Sequence, residues 1–365
     1  MQEFYRKNSI DTLEHLPERG KVAWESPSNI ALIKYWGKHG DQLPDNASLS
    51  LTLKKSLSRV DMEFQKKSGS DLSFEFSFEG QKNKAFEERI SHYLNKVKLY
   101  FPFLQGLNLS IQSRNTFPHS AGIASSASFM SAMALVLCSL EKFGHSNYGV
   151  DFFRKASFMA RLGSGSASRS VYSKMAGWGE HPRLPESTDE YAISMEEFMP
   201  PDLKNLRDAV IIVDSGPKKV SSSQGHKLMN GHFFAQNRIQ QASANFARLM
   251  DALVSDNWSV IAEVIENEAL SLHAMMLSSI PGYTLLKQQT LDIIEEIRDF
   301  RTQNNVSMAF TLDAGPNIHL LYKEIDKKQV EMFIQQKLTP LAEDQRIIYD
   351  EMGSGPELKE LKAYE

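Results

Sequence analysis

A chain of 365 residues, 41 % hydrophobic and 24 % charged, is long enough for two domains with cores of their own. Its formal net charge of -4, with no strongly basic block, argues against a dedicated nucleic-acid binder. Its single cysteine, Cys138, excludes an internal disulfide and fits a reducing cytosol, and no apolar run approaches the roughly 20 residues that span a bilayer.

Residues 1–20 are polar and charged, an N-terminal extension or an arm onto a partner subunit. The N-terminus has no apolar stretch of signal-peptide length, which points to a cytoplasmic protein with no membrane partner. Lys21-Val22-Ala23-Trp24 reads as a short strand running into residues 26–38, where Lys34 and Lys38 flank Tyr35, Trp36 and Gly37. On a helix these lysines would share a face and repel, and an anion between them would reverse the sign. A snorkelling pair on a surface turn accounts for the same residues. Strands are predicted at 49–53, 60–64 and 72–78, the last two as a hairpin with one wet face. Residues 84–100 have helical spacing and carry Arg89, by default a solvated or ion-paired side chain.

The segment 107–112 alternates apolar and polar, as a half-buried strand does, and 129–137 is apolar nearly all round, as a buried helix is. Between them lie Pro118, His119, Ser120, Ala121, Gly122, Ile123, Ala124, Ser125 and Ser126. A small-residue loop entering a helix suits an anion, because the first N–H groups have no partner and the helix dipole favours negative charge. A tight turn that needs room explains it equally well, and GxxxxGK[ST] has no match here. A helix over 150–161 stops at a second cluster, Gly163 to Ser170, that holds Ser164, Gly165, Ser166 and Arg169. Hydroxyls beside a guanidinium suit a carboxylate or phosphate, whereas a helix stop followed by a new cap is the purely structural alternative.

An irregular stretch with Pro200-Pro201 marks a domain boundary. Beyond it come a buried strand at 209–213, a polar loop with Ser223, and helices over 226–278 and 286–300. Strands at 306–311 and 318–322 follow, then a helix at 329–337 and a last strand at 346–349. This order gives an α+β layer with helices on one face. Asp313-Ala314-Gly315-Pro316-Asn317 is good turn chemistry, and by residue type alone a turn aspartate accounts for Asp313; its strongly apolar flanks suit the alternative of a carboxylate held somewhere drier than a surface turn.

The segments 29–38, 117–127, 163–170 and 313–317, in this order, resemble the mevalonate diphosphate decarboxylase family of the GHMP kinase superfamily, and the likeness continues to Gly353-Ser354-Gly355-Pro356. The KYWGK, GSGSA and DAGPN segments together are highly specific. The resemblance implies a GHMP kinase fold: a ribosomal protein S5 domain 2-like, ATP-binding N-terminal domain (21–203) after the extension (1–20), and a ferredoxin-like C-terminal domain (204–365). It implies ATP and Mg²⁺ as cofactors, mevalonate 5-diphosphate as the small-molecule partner, isopentenyl diphosphate as product, and a homodimer. Carried over position by position, it makes Asp313, Lys34 and Arg169 catalytic. Substrate contacts fall on Tyr35, Trp36, Gly37, Lys38, Arg89, Ser164, Gly165, Ser166 and Ser223. ATP contacts fall on Pro118, Ser120, Ala121, Gly122, Ala124, Ser125 and Ser126. Magnesium ligands are not carried by these motifs. His119, Ser120 and the longer extension depart from the family pattern, and Ser223 stands where a threonine is common. The rival readings are a mevalonate 5-phosphate decarboxylase, a kinase that stops at the 3-phosphate, and a non-catalytic GHMP-fold binding protein.

Overall fold

The computed structural model describes residues 2–7, 12–118, 123–143, 148–216 and 220–364. Its first sheet is built on two long antiparallel strands, β1 (Arg19–Ile33) and β2 (Ser48–Lys66), paired from Arg19↔Gln65 to Ile33↔Leu49. The two strands predicted at 49–53 and 60–64 are thus one. The hairpin predicted between 60–64 and 72–78 does not form. β3 (Ser73–Phe78) instead pairs in parallel with β4 (Leu107–Asn115), and β4 lies between β3 and β2. The reason is the helix α1 (Lys84–Val97) that joins β3 to β4. A helical crossover returns the chain to the same end of the sheet, so the two strands it links run parallel.

α2 (Ser125–Glu141) and α3 (Val150–Gly163) complete this unit, and α2 is buried from Ala127 to Leu140 apart from Phe129. Side chains of Val22, Trp24, Met62 and Ile111 from the sheet meet Leu135 and Met133 there. Each such burial contributes roughly 1.5–3 kcal/mol. The first residues are not a loose arm: Tyr5 and Leu16 are buried in this same core, Tyr5 against Phe158 with ring centroids 5.2 Å apart. β5 (Met175–Trp178) adds to the start of β2, and β6 (Ala192–Ser194) adds to β5.

The second sheet has four strands, all antiparallel. In chain order they are β7 (Arg207–Ile211), β8 (Met308–Thr311), β9 (Ile318–Tyr322) and β10 (Ile347–Glu351); in space the order is β8-β9-β7-β10. Between β7 and β8 run α4 (Ser222–Lys227), α5 (Ala235–Val254), α6 (Trp258–Leu277) and α7 (Gln288–Asn304); α8 (Lys327–Phe333) joins β9 to β10. A strand–helix–strand, strand–helix–strand order with the first strand inside the sheet is the split βαβ, ferredoxin-like arrangement. The fold is therefore α+β, as expected.

The strand at 346–349 is not the last. β11 (Glu357–Tyr364) crosses back and pairs antiparallel with β1, from Arg19↔Tyr364 to Glu25↔Glu357. The two units are further joined at Asp350, which is 2 % exposed. Its carboxylate accepts the amides of Lys54, Lys55 and Ser56 at 3.0, 2.8 and 2.9 Å.

Candidate active site

The cleft lies where the end of β1, the start of α2, the turn after α3 and the β8–β9 turn converge, and it encloses about 500 Å³. The 34–38 segment is not helical. β1 ends at Ile33 and the chain turns, with Gly37 at φ 99°, where a Cβ would sit 2.5 Å from Asp45 Oδ2. Only glycine enters this conformation cheaply. The turn sends Lys34 inward. The residue is 1 % exposed, and its ammonium donates to the Ala31 carbonyl at 2.7 Å and to Asp313 Oδ1 at 3.0 Å. Thr311, two residues before Asp313, donates to the same Ala31 carbonyl at 3.3 Å, which ties the β8–β9 turn to β1. Burial pulls the Lys34 pKa below that of an ordinary lysine, and Asp313 opposes the shift.

Behind Lys34 stands a buried network. Glu268 on α6 is fully buried and accepts the Lys34 backbone N–H at 2.9 Å. It is held by both Arg238 terminal nitrogens, at 3.1 and 2.6 Å, and by Asn245 at 2.8 Å. The Asp313 backbone is fixed from the other side, through its carbonyl, by His273 Nε2 at 3.1 Å.

Arg169 sits on the 3₁₀ segment Gly165–Val171 that follows α3. It is 2 % exposed, and its hydrogen bonds go to neutral oxygens: Ser50 Oγ at 2.9 Å, Ser48 Oγ at 2.6 Å and Asn29 Oδ1 at 3.4 Å. Burial lowers its pKa to about 10, while Asp313 and Tyr35 push the other way. A guanidinium held in this way still favours an anion, because burying a cation without a counter-charge is costly.

Tyr35, Trp36, Lys38, Arg89, Ser164, Gly165, Ser166, Ser223, Ala124, Ser125 and Ser126 also line the cleft. The Tyr35 hydroxyl is buried without a hydrogen-bond partner among the described residues, and it is closely packed: a Cβ on Gly165 would lie 2.7 Å from it. Lys38 bonds to Gln42 at 2.7 Å, and burial together with Lys227 and Lys96 lowers its pKa. That clustering of cations suits a polyanion. Arg89, on α1, is exposed and reaches the cleft with its side chain. The start of α2 is approached through Ala124 at φ 34°, and Ser126 Oγ lies 3.4 Å from Ser164 Oγ. Gly37 shapes the turn without lining the cleft, and Pro118 is exposed outside it. Ser120, Ala121 and Gly122 lie outside the described residues.

Sequence reasoning passed over three kinds of residue. Asn29, Ser221 and Ser222 line the cleft, as does His226. Asn29 had a signal, since it opens the KYWGK segment and bonds Ser166 O at 3.1 Å and Ser170 Oγ at 2.7 Å. His226 had none, standing singly in a polar run. Among the described residues no three His, Cys, Asp or Glu side chains gather as a metal centre, and Asp313 is the one carboxylate lining the cleft. A magnesium ion often keeps several waters and takes one or two carboxylates plus substrate phosphates, so this donor set fits one. Nor is any described helix long and apolar enough to cross a membrane.

Two family models match the chain: the diphosphomevalonate decarboxylase-like N-terminal domain over residues 26–191 and the mevalonate 5-diphosphate decarboxylase C-terminal domain over 209–362. The chain is 30 % identical to the diphosphomevalonate decarboxylase of Ganoderma lucidum, across 87 % of this chain and 82 % of that one. It is 28 % identical to the enzyme of Candida albicans, across 91 % and 96 %. Its fold is similar to the mevalonate diphosphate decarboxylase of Staphylococcus aureus, with a TM-score of 0.78, 29 % identity and coverage of 95 % and 100 %. It is also similar to the protein designated MDDEF in complex with MVAPP, AMPPCP and magnesium, with a TM-score of 0.78, 26 % identity and coverage of 94 % and 99 %.

Proposed function

The chain belongs to the diphosphomevalonate decarboxylase family, and from that premise we propose that it converts mevalonate 5-diphosphate and ATP to isopentenyl diphosphate, ADP, phosphate and CO₂. The observation that carries this reading is the Lys34–Asp313 pair at 3.0 Å, facing the same cleft as the buried Arg169. A tertiary 3-hydroxyl is a poor nucleophile. Asp313 orients it and accepts its proton as it becomes phosphorylated. Lys34 keeps that carboxylate ionised and in place, and Glu268 keeps Lys34 there through its backbone amide.

Departure of phosphate leaves positive character at carbon 3. The neighbouring carboxylate then loses CO₂, and its bonding pair forms the new double bond. Arg169 aligns the carboxylate for that step, acting mainly by position. Lys38, Arg89, Tyr35, Ser164, Ser166 and Ser223 take the substrate's diphosphate end and chain. Ser125 and Ser126, at the start of α2, receive nucleotide phosphate, where the unpaired helix N–H groups favour anions. Hydroxyls of this loop, or Asp313, would hold a magnesium ion together with the phosphates, and when bound it would supply charge neutralisation for the transfer.

The test is a substrate panel. Purified protein with ATP and Mg²⁺ is given mevalonate, mevalonate 5-phosphate or mevalonate 5-diphosphate, and CO₂ and ADP are followed. One CO₂ per ADP with the diphosphate as the best substrate is expected. ADP without CO₂ marks a kinase, preference for the monophosphate marks the neighbouring specificity, and no turnover with any of the three ends the enzymatic reading.

A further inference from the structure

We propose that His226 is a further substrate-binding residue, its Nε2–H donating a hydrogen bond to the diphosphate of the substrate; this rests on the reading above. His226 lies on α4 and lines the cleft beside Ser221–Ser223. Its ring is held between Tyr35 and Trp36, with centroids 4.4 and 4.7 Å away, so its direction is fixed by packing. The backbone N–H of Gly37 points at its Nδ1 from 3.1 Å. An amide can only donate, so Nδ1 must be the bare acceptor, and the neutral ring carries its proton on Nε2.

His226 is 7 % exposed, and Nε2 has no hydrogen-bond partner among the described residues. Unlike the Tyr35 hydroxyl, this nitrogen is not sealed in the interior, so its N–H is open to a group bound in the cleft. The surroundings say what that group is: Tyr35, with its own unpartnered hydroxyl, and Lys38, whose charge acts on this ring, belong to the same wall. An anion is the ligand that satisfies all three groups. Burial, with Lys38, holds the His226 pKa down at about 3, so the ring serves as a neutral donor through the physiological range. It thus adds a directional hydrogen bond where another cation would be repelled by Lys38.

The experiment separates the two ring nitrogens. In His226→Asn the amide oxygen can take the place of Nδ1 and keep the Gly37 contact, while the distal donor is lost. In His226→Gln the amide nitrogen reaches toward the place of Nε2. Dissociation constants for mevalonate 5-diphosphate are measured by calorimetry on the whole protein, with thermal melts confirming that each variant is folded. Asn should weaken binding roughly 10- to 100-fold, the worth of a hydrogen bond to a charged group. Gln should recover part of that loss, and affinity for a non-hydrolysable ATP analogue should stay within about twofold in both, given only neutral changes away from the α2 loop.

Unchanged affinity in His226→Asn overturns the proposal, as does equal weakening in Asn and Gln, which would mark a purely structural role. If the wild-type protein itself fails to bind mevalonate 5-diphosphate, the functional reading fails. His226 is then judged with inorganic diphosphate as the probe: a loss in the Asn variant supports the donor, and equal binding refutes it.

Discussion

Replacing Asp313 by Asn keeps the size of the side chain and removes its charge, which separates two consequences. Proton acceptance from the 3-hydroxyl is lost, so turnover should fall by roughly two to four orders of magnitude, the usual worth of general acid–base help. The other consequence is for Lys34, which is 1 % exposed and whose ammonium relies on Asp313 as its charged partner at 3.0 Å. Breaking a buried pair costs about 3–5 kcal/mol when the remaining charge is left in the interior. The Asp313 side chain is 30 % exposed, so water supplies part of what is lost and the cost should be roughly 1–3 kcal/mol.

The destabilisation has a defined pH dependence. Burial already lowers the Lys34 pKa in the folded state, and removing Asp313 lowers it further. The penalty is therefore full while folded Lys34 is protonated. It shrinks as pH rises through the lowered folded-state pKa values of Lys34, first the variant's and then the wild type's, both below the roughly 10.4 of an unfolded lysine, and is gone once the folded side chain is neutral in both proteins. Denaturant unfolding at several pH values and single-turnover kinetics at pH 7 read the two effects separately. Near-normal turnover would remove Asp313 from the mechanism. A stability change that grows with pH would refute the account of Lys34.

Glu268→Gln should destabilise the protein by about 3–5 kcal/mol, because Arg238 loses its buried counter-charge, and urea titration reads it; an unchanged unfolding midpoint would contradict this. Lys38→Ala should weaken mevalonate 5-diphosphate binding roughly tenfold with a smaller change in the chemical step, and an unchanged calorimetric titration counts against its place at the diphosphate. Gly165→Ala puts a methyl 2.7 Å from the Tyr35 hydroxyl, so it should cost about 1–3 kcal/mol and displace that ring from the cleft, visible as lower stability together with a raised KM. Between pH about 6.5 and 3 the unfolded state protonates His226 while the folded state does not, so stability falls on acidification by up to about 1.4 kcal/mol per pH unit from this group. His226→Asn should lose that share of the slope, and parallel stability–pH curves for the two proteins would refute it.

Local periodicity carried much of the fold. Alternation at 107–112 marks β4, whose burial alternates along its length, and the apolar run at 129–137 lies within the buried α2. Neighbour choice is not a local property. Residues 72–78 form a strand as their alternation requires, but the α1 crossover decides that it pairs with β4 rather than β2. β11 escaped notice because an edge strand of alternating Lys and Glu with only Leu358 and Leu361 turned inward looks like a solvated tail. At the cleft, charged side chains inside short, unusual motifs were visible one by one, as Lys34, Arg169 and Asp313 were. What holds them was not: Glu268 and Arg238 sit on ordinary amphipathic helices, and their pairing across 30 residues of sequence leaves no pattern.

The claim that the 3-hydroxyl is phosphorylated before CO₂ leaves is tested most directly by following its oxygen. Mevalonate 5-diphosphate labelled with ¹⁸O at the 3-hydroxyl is turned over with ATP, and the released phosphate is examined by mass spectrometry. The account predicts that the label appears in inorganic phosphate, one atom per turnover. Label recovered in water, with none in the phosphate, would contradict it.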